Sequence, residues 1–291
     1  MEHDVRTPDG RSLHIIEAGD PDGLPIVVHH GTPGCALHYE PHAVDAAERG
    51  IRLISYDRPG YGGSTPHQGR EVADAAADVS AIADALGIGD FGTYGGSGGG
   101  PHTLACAALL PDRVVGAVTI ASVAPFPADG LDWIAGMGQG NIDEFGAAQE
   151  SRDALVAFTT RERVELLAAD PATIVEAIRT LVSPVDAEAL TGKLGEYMLA
   201  STREAIGESV EGWVDDDLAF LSPWGFELQQ IAVPIALWHG EQDLFVPVAH
   251  GRWLADNLPD AKVRIEPDHG HLSLTARVPD VHAWLVERLQ A

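Results

Sequence analysis

Gly95-Gly96-Ser97-Gly98-Gly99 is the stretch on which the reading of this chain turns. It satisfies Gly-x-Ser-x-Gly and falls where an apolar run, Phe91 to Gly95, gives way to a helical run that begins at about Gly98 and is stopped by Pro111. A serine at such a turn needs small neighbours, because its backbone is strained and its side chain must stand clear of a sheet. The following helix offers the positive end of its dipole, and the amide of Gly98 is aimed where an oxyanion would develop. A chain with 32 glycines can carry this string by accident, but the strand-turn-helix setting argues against that. A phosphate-binding loop would need Gly-x-Gly-x-x-Gly or Gly-Lys-Ser/Thr. Here the sixth position is Pro101 counted from Gly96, or Thr103 counted from Gly98.

Outward from this turn, strands and helices alternate. Val5 to Thr7 and Leu13 to Ile16 flank a Pro8-Asp9-Gly10 turn and read as a hairpin. The run Ile26-Val27-Val28 reads as a buried strand, followed by a helix from His38 to Arg49 capped by Gly50, a strand from Ile51 to Tyr56 and an Ala-rich helix from Val72 to Leu86. Beyond Ser97 a strand spans Val114 to Ser122. The rhythm resumes with a strand at Pro234 to Trp238, a helix at Val248 to Leu258, a strand at Lys262 to Ile265 and a last helix at Leu272 to Leu289. Such alternation predicts an α/β fold, with a parallel sheet covered by helices on both faces. Residues 125–230 carry helical periodicity and no convincing strand, so they read as a helical cap inserted into a core formed by 1–124 and 231–291. Within the insert, Asp215-Asp216-Asp217 reads as solvated surface. Trp133, Phe145 and Trp213 are candidate pocket residues, each more simply read as packing.

A serine hydroxyl needs a base to become a nucleophile. Of 13 histidines, His271 fits best: Asp268-His269-Gly270-His271-Leu272 follows the last strand and opens the last helix, on the sheet edge that carries Ser97. His269 is the close rival. The base in turn needs a carboxylate to hold its tautomer, and the order nucleophile, acid, histidine selects Asp243, just beyond the strand ending at Trp238. Glu241 and Asp268 are substitutes that read more simply as surface carboxylates. His30-Gly31-Thr32-Pro33-Gly34 ends the strand predicted beside that of Ser97, so the Thr32 amide is the expected second oxyanion donor with Gly98. His102, one turn into the helix after Ser97, reads as structural or as a substrate contact.

Composition removes several classes of function. A formal net charge of −26, with Lys193 and Lys262 the only lysines, does not suit nucleic acid or anionic membranes. Cys35 and Cys106 make no disulfide framework and no CxxC pair. The longest strongly apolar run, Val114 to Ala124, is far short of the roughly 20 residues a membrane helix needs, and Met1-Glu2-His3-Asp4 lacks a signal peptide's apolar segment. A soluble, cytoplasmic protein acting on a small molecule is expected, with no metal or cofactor required. Monomer and homodimer both remain open.

Four segments together resemble the α/β-hydrolase superfamily, within it the capped esterase, proline-iminopeptidase and epoxide-hydrolase-like branch. They are His30 to Gly34, Tyr56-Asp57-Arg58-Pro59-Gly60-Tyr61-Gly62-Gly63-Ser64, Gly95 to Gly99, and His239-Gly240-Glu241-Gln242-Asp243 with Gly270-His271. The resemblance implies an eight-stranded, mostly parallel sheet with a helical cap inserted after strand six, and a structural role for Asp57 to Ser64 in bracing the oxyanion loop. Epoxide hydrolases and haloalkane dehalogenases of this branch carry Asp where this chain has Ser97. Iminopeptidases carry Gly-Gly-x-Pro-Gly at the oxyanion loop and Trp after the nucleophile, where this chain has Gly31-Thr32-Pro33-Gly34 and Gly98. The expected activity is cleavage of a small ester or lactone through an acyl-enzyme. Amide or C–C cleavage, acyl transfer, and ligand binding without turnover are the alternatives.

Overall fold

Short apolar runs bounded by Gly, Pro and Asp pair into one sheet in the computed structural model, which describes every residue from Met1 to Ala291. Its strands are β1 (Glu2–Arg6), β2 (Ser12–Gly19), β3 (Leu24–His29), β4 (Ile51–Tyr56), β5 (Phe91–Gly96), β6 (Val114–Ile120), β7 (Ile235–Gly240) and β8 (Lys262–Glu266). They lie in the order β1-β2-β4-β3-β5-β6-β7-β8. β2 is antiparallel to both its neighbours, and every other pairing is parallel. The order reverses around β3 and β5, where His29 pairs with Gly95. The loops leaving these two strands therefore start side by side at the carboxyl edge, where open α/β sheets place their sites.

The helices are α1 (Glu40–Glu48), α2 (Asp74–Ala85), α3 (Gly99–Leu109), α4 (Gln139–Glu150), α5 (Arg152–Ala168), α6 (Ile174–Ala177), α7 (Pro184–Ala189), α8 (Lys193–Ile206), α9 (Glu211–Phe220), α10 (Val248–Asn257) and α11 (Val278–Leu289). On α2, Ala75, Val79, Ile82 and Ala83 repeat at helical spacing and are buried. Val79, Ile82 and Ala83 join Leu104 of α3 and Leu254 of α10 in the apolar cluster on one sheet face. Ala46 of α1 and Val281, Trp284 and Leu285 of α11 fill the other. Each fully buried Leu, Ile or Val contributes about 1.5–3 kcal/mol.

Element ends differ from the sequence reading where proline or backbone geometry intervenes. The last helix is broken: Ser273–Arg277 forms a 3-10 turn and α11 starts afresh with Pro279 in its first turn, because proline lacks the N–H that a continuous helix requires there. Pro41 likewise delays α1 to Glu40. β6 stops at Ile120, since Ala121 takes a positive φ of 50°.

Between β6 and β7 the chain runs through α4 to α9 without a strand. The insert is rooted in the core: Trp133 and Phe145 near its start and Phe220 and Trp224 near its end share the apolar cluster of Leu104 and Val123. It is also fastened backbone to backbone. The Gly212 N–H donates to the Gly60 carbonyl at 3.2 Å, and a Cβ on Gly60 would lie 2.8 Å from the Gly212 nitrogen. The acidic run is not surface. Asp215, Asp216 and Asp217 are all buried, because arginines distant in sequence meet the first two: Arg152 pairs with Asp215, and Arg58 and Arg70 pair with Asp216.

Candidate active site

Ser97 sits at the turn from β5 into α3 with φ 54°, a left-handed conformation that costs a non-glycine residue of order 1–3 kcal/mol. The turn is held by the Ser97 N–H donating to the Ile120 carbonyl at 2.8 Å and by the Gly100 N–H donating to the Ser97 carbonyl at 2.9 Å. Its glycines answer to crowding from outside: a side chain at Gly99 would run into the His29 and His30 carbonyls, and one at Gly98 into the Thr32 side chain and Phe220. The loop after β3 is thereby packed directly on the Ser97 turn.

His271 and Asp243 come together from the loops after β8 and β7. The imidazole Nδ1 donates to Asp243 Oδ2 at 2.7 Å. The other oxygen, Oδ1, accepts the amides of Phe245 at 2.9 Å and Val246 at 2.8 Å. The Phe245 ring stacks on the imidazole at 4.7 Å between centroids. The bond to Asp243 places the proton on Nδ1 and leaves Nε2 free to accept another. Burial works against the imidazolium, but the Asp243 carboxylate, its hydrogen bond and the charge of Asp186 outweigh it and raise the His271 pKa above 6.5. His269, the rival, is not among the residues lining the cavities described below, and neither Glu241 nor Asp268 reaches His271.

The loop carrying Thr32 is braced from below. Arg58 donates through Nη1 to the His30 carbonyl, and through Nη2 to the Gly31 carbonyl at 2.9 Å and to Thr32 Oγ1 at 3.1 Å. Asp57 Oδ1 accepts the Ala36 amide at 2.7 Å. The Arg58 N–H donates to His30 Nε2 at 3.1 Å, which fixes the His30 proton on Nδ1, where it donates to the Gly31 carbonyl at 2.7 Å. Beneath this network lies Asp216 of α9. Its carboxylate takes Arg58 Nη2 at 2.6 Å, Arg70 Nη2 at 2.9 Å, the Thr32 hydroxyl at 2.6 Å and the Tyr61 hydroxyl at 2.8 Å. Burial alone would raise the Asp216 pKa, but the two guanidinium groups hold it far below the carboxylate range. The amides of Thr32 and Gly98 make no hydrogen bond within the chain. His102 is buried and its Nδ1 bonds the Gly98 carbonyl at 2.8 Å, so it shapes the turn and lines neither cavity.

Two cavities, of about 230 and 170 Å³, meet at Ser97, Thr32, Pro33 and Phe245. His271 lines the larger, which runs over His42, Tyr94 and Tyr197. The smaller is walled by the insert, including Phe145, Trp213 and Phe220, whereas Trp133 packs away from it against Phe145 and donates to the Ala124 carbonyl. Glu144 and Asp217 also face this cavity. The Trp213 indole donates to Glu144 at 2.6 Å, and the Asp217 carboxyl is met by no donor other than the Glu144 carboxyl. Burial raises both pKa values, Asp217's most; the neighbouring Glu144 pushes Asp217 up further, whereas the hydrogen bonds from Asp217 and Trp213 hold Glu144 back.

Sequence reasoning missed Asp216, Asp217, Glu144 and Asp186. Asp186, in α7, is fully buried against the histidine loop. The only local signal was Ser183-Pro184 ahead of it, a helix-start pattern.

The profile of the alpha/beta hydrolase fold family matches residues 25–275. A non-heme chloroperoxidase of Streptomyces lividans is 35% identical over 146 residues, half of this chain and 53% of that protein. A non-heme haloperoxidase of Rhodococcus erythropolis is 26% identical over 99% of both chains. A proline iminopeptidase of Neisseria gonorrhoeae is 28% identical over 94% of this chain and 91% of its own. Among solved structures, a thermophilic esterase from Thermogutta terrifontis superposes with a TM-score of 0.72 at 19% identity, all of both chains covered. No helix is long and apolar enough to cross a membrane.

Proposed function

This chain belongs to the α/β-hydrolase fold family, and on that premise we propose that it is a serine hydrolase that cleaves a small carboxylic ester or lactone through an acyl-enzyme. The observation that carries the reading is the Asp243-His271 pair on the same cavity wall as the strained Ser97 turn. In this mechanism His271 Nε2 takes the Ser97 proton as the hydroxyl attacks the carbonyl carbon. The oxyanion is met by the unspent amides of Thr32 and Gly98 at the positive end of α3. The protonated His271 then gives its proton to the leaving alkoxide. Water deprotonated by the same imidazole attacks the acyl-enzyme, Ser97 recovers its proton, and the acid departs. Asp243 keeps its negative charge throughout and stabilises the imidazolium.

The insert closes the smaller cavity over Ser97, so residues 125–230 act as a cap that sets acyl or alcohol size. A fluorophosphonate probe should label the wild type at Ser97, with hydrolysis of short p-nitrophenyl esters lost in parallel. Labelling that persists in Ser97→Ala would remove the assignment.

The half-buried Glu144 and the buried Asp217 favour a second reading, since two carboxyl groups with no ion-pair partner in a cavity beside Ser97 suit a substrate that brings an ammonium group. This would place the activity nearer that named in the iminopeptidase relatives. Under it, a prolyl anilide is turned over faster than an acetyl ester, and Asp217→Asn lowers the ratio of the two rates. An unchanged ratio restores the ester reading.

A further inference from the structure

The charged groups around His271 do not all belong to the core. Asp243 comes from the loop after β7 and His239 from β7 itself, 3.5 Å from Asp243 Oδ2. Its own loop carries Asp268 and His269. The remaining charge, Asp186, is 85 residues away in α7, inside the insert, and has no exposed surface.

Its carboxylate is used almost completely. Oδ2 accepts the His271 amide at 2.9 Å and the Ser183 hydroxyl at 3.0 Å. Oδ1 accepts the Leu272 amide, the Ser273 amide and the Ser273 hydroxyl, each at 2.9 Å. Three successive amides converge on one carboxylate at the point where the 3-10 turn Ser273–Arg277 opens, so the anion caps that turn from another element. The fit is close enough that a Cβ on Gly270 would collide with this carboxylate. No arginine or lysine neutralises Asp186; its partners are all neutral donors.

We propose that Asp186 is a positioning residue for His271: the insert lays its carboxylate under the histidine loop and fixes the backbone from which the imidazole projects. The proposal rests on His271 acting as general base. Asp186 touches neither substrate nor the reacting atoms and acts through the loop. Its negative charge also favours the imidazolium, so its loss has a sign that a purely structural residue would not give. With the charge removed, His271 binds its proton less tightly, and the limb on which it becomes a base moves to lower pH.

The experiment compares wild type and Asp186→Asn by NMR titration of the His271 imidazole, assigned against His271→Ala, alongside ester kinetics and thermal melting. The expected result is a lower His271 midpoint, a kcat reduced about ten- to a hundredfold, and KM within about twofold of wild type. A midpoint equal to wild type overturns the proposal, whether or not activity falls. If the wild type hydrolyses no ester, the hydrolase reading fails while the titration still decides the role of Asp186. Should Asp186→Asn not fold, hydrogen exchange on the wild type replaces it. Amides 271–273 are expected to open together with those of α7, and exchange of the loop independent of α7 overturns the proposal.

Discussion

Asp243 holds His271 with one oxygen and two backbone amides with the other, so its replacement by asparagine keeps the loop while offering the imidazole the wrong partner. Asp243→Asn is expected to lower kcat by about 10³- to 10⁴-fold with an unchanged melting profile; a loss below tenfold would show that another carboxylate orients the base. The raised His271 pKa also fixes a pH dependence. kcat/KM of the wild type should fall as pH drops through a value above 6.5, because a protonated imidazole cannot accept the Ser97 proton. Asp217 behaves oppositely to a paired carboxylate. Its folded pKa is raised, so the stability linked to its proton is present at low pH and lost as pH climbs past the unfolded carboxylate value toward the folded one. Asp217→Asn should therefore raise Tm at neutral pH, by about 2–4 °C for each kcal/mol relieved, and the gain should vanish below about pH 4. Melting curves at the two pH values test this directly.

At the scale of elements, each residue of the proposed site stands at the end of a strand, and that placement was legible: Ser97 after β5, Thr32 after β3, Asp243 after β7 and His271 after β8 all follow from alternation and turn signals. What the sequence hid was pairing across distance. Three aspartates in a row point in three directions from one helix, and nothing near residue 216 names Arg58 or Arg70 as its partners. Ser183-Pro184 marks a helix start, but the amides that Asp186 receives lie 85 to 87 residues further along. Boundaries slipped where a single backbone event intervened, as at Pro279 and Ala121. The Asp216 hub gives the sharpest stability prediction for an element. Asp216→Ala leaves two buried guanidinium groups facing no anion, which is expected to destabilise by about 3–5 kcal/mol and to release the Thr32 loop. Chemical denaturation measures the first, and loss of fluorophosphonate labelling in whatever remains folded measures the second.

For the whole molecule, the insert is more than a cover. α9 supplies the anion under the Thr32 loop, α7 supplies the one under the His271 loop, and Phe145 and Phe220 belong to the same apolar cluster as the sheet. Replacing residues 125–230 by a short linker is therefore expected to yield a core that is inactive and poorly folded. A cap-less protein that melted cooperatively and still hydrolysed small esters would show the two parts to be independent. The backbone contact between Gly60 and Gly212 carries this further. Because neither partner there tolerates a methyl group, a lid borrowed from another family member could seat on this scaffold only if it arrived with glycine at the matching point. Recombination libraries that shuffle lids among these folds should accordingly return working chimeras in which the two glycines are inherited together.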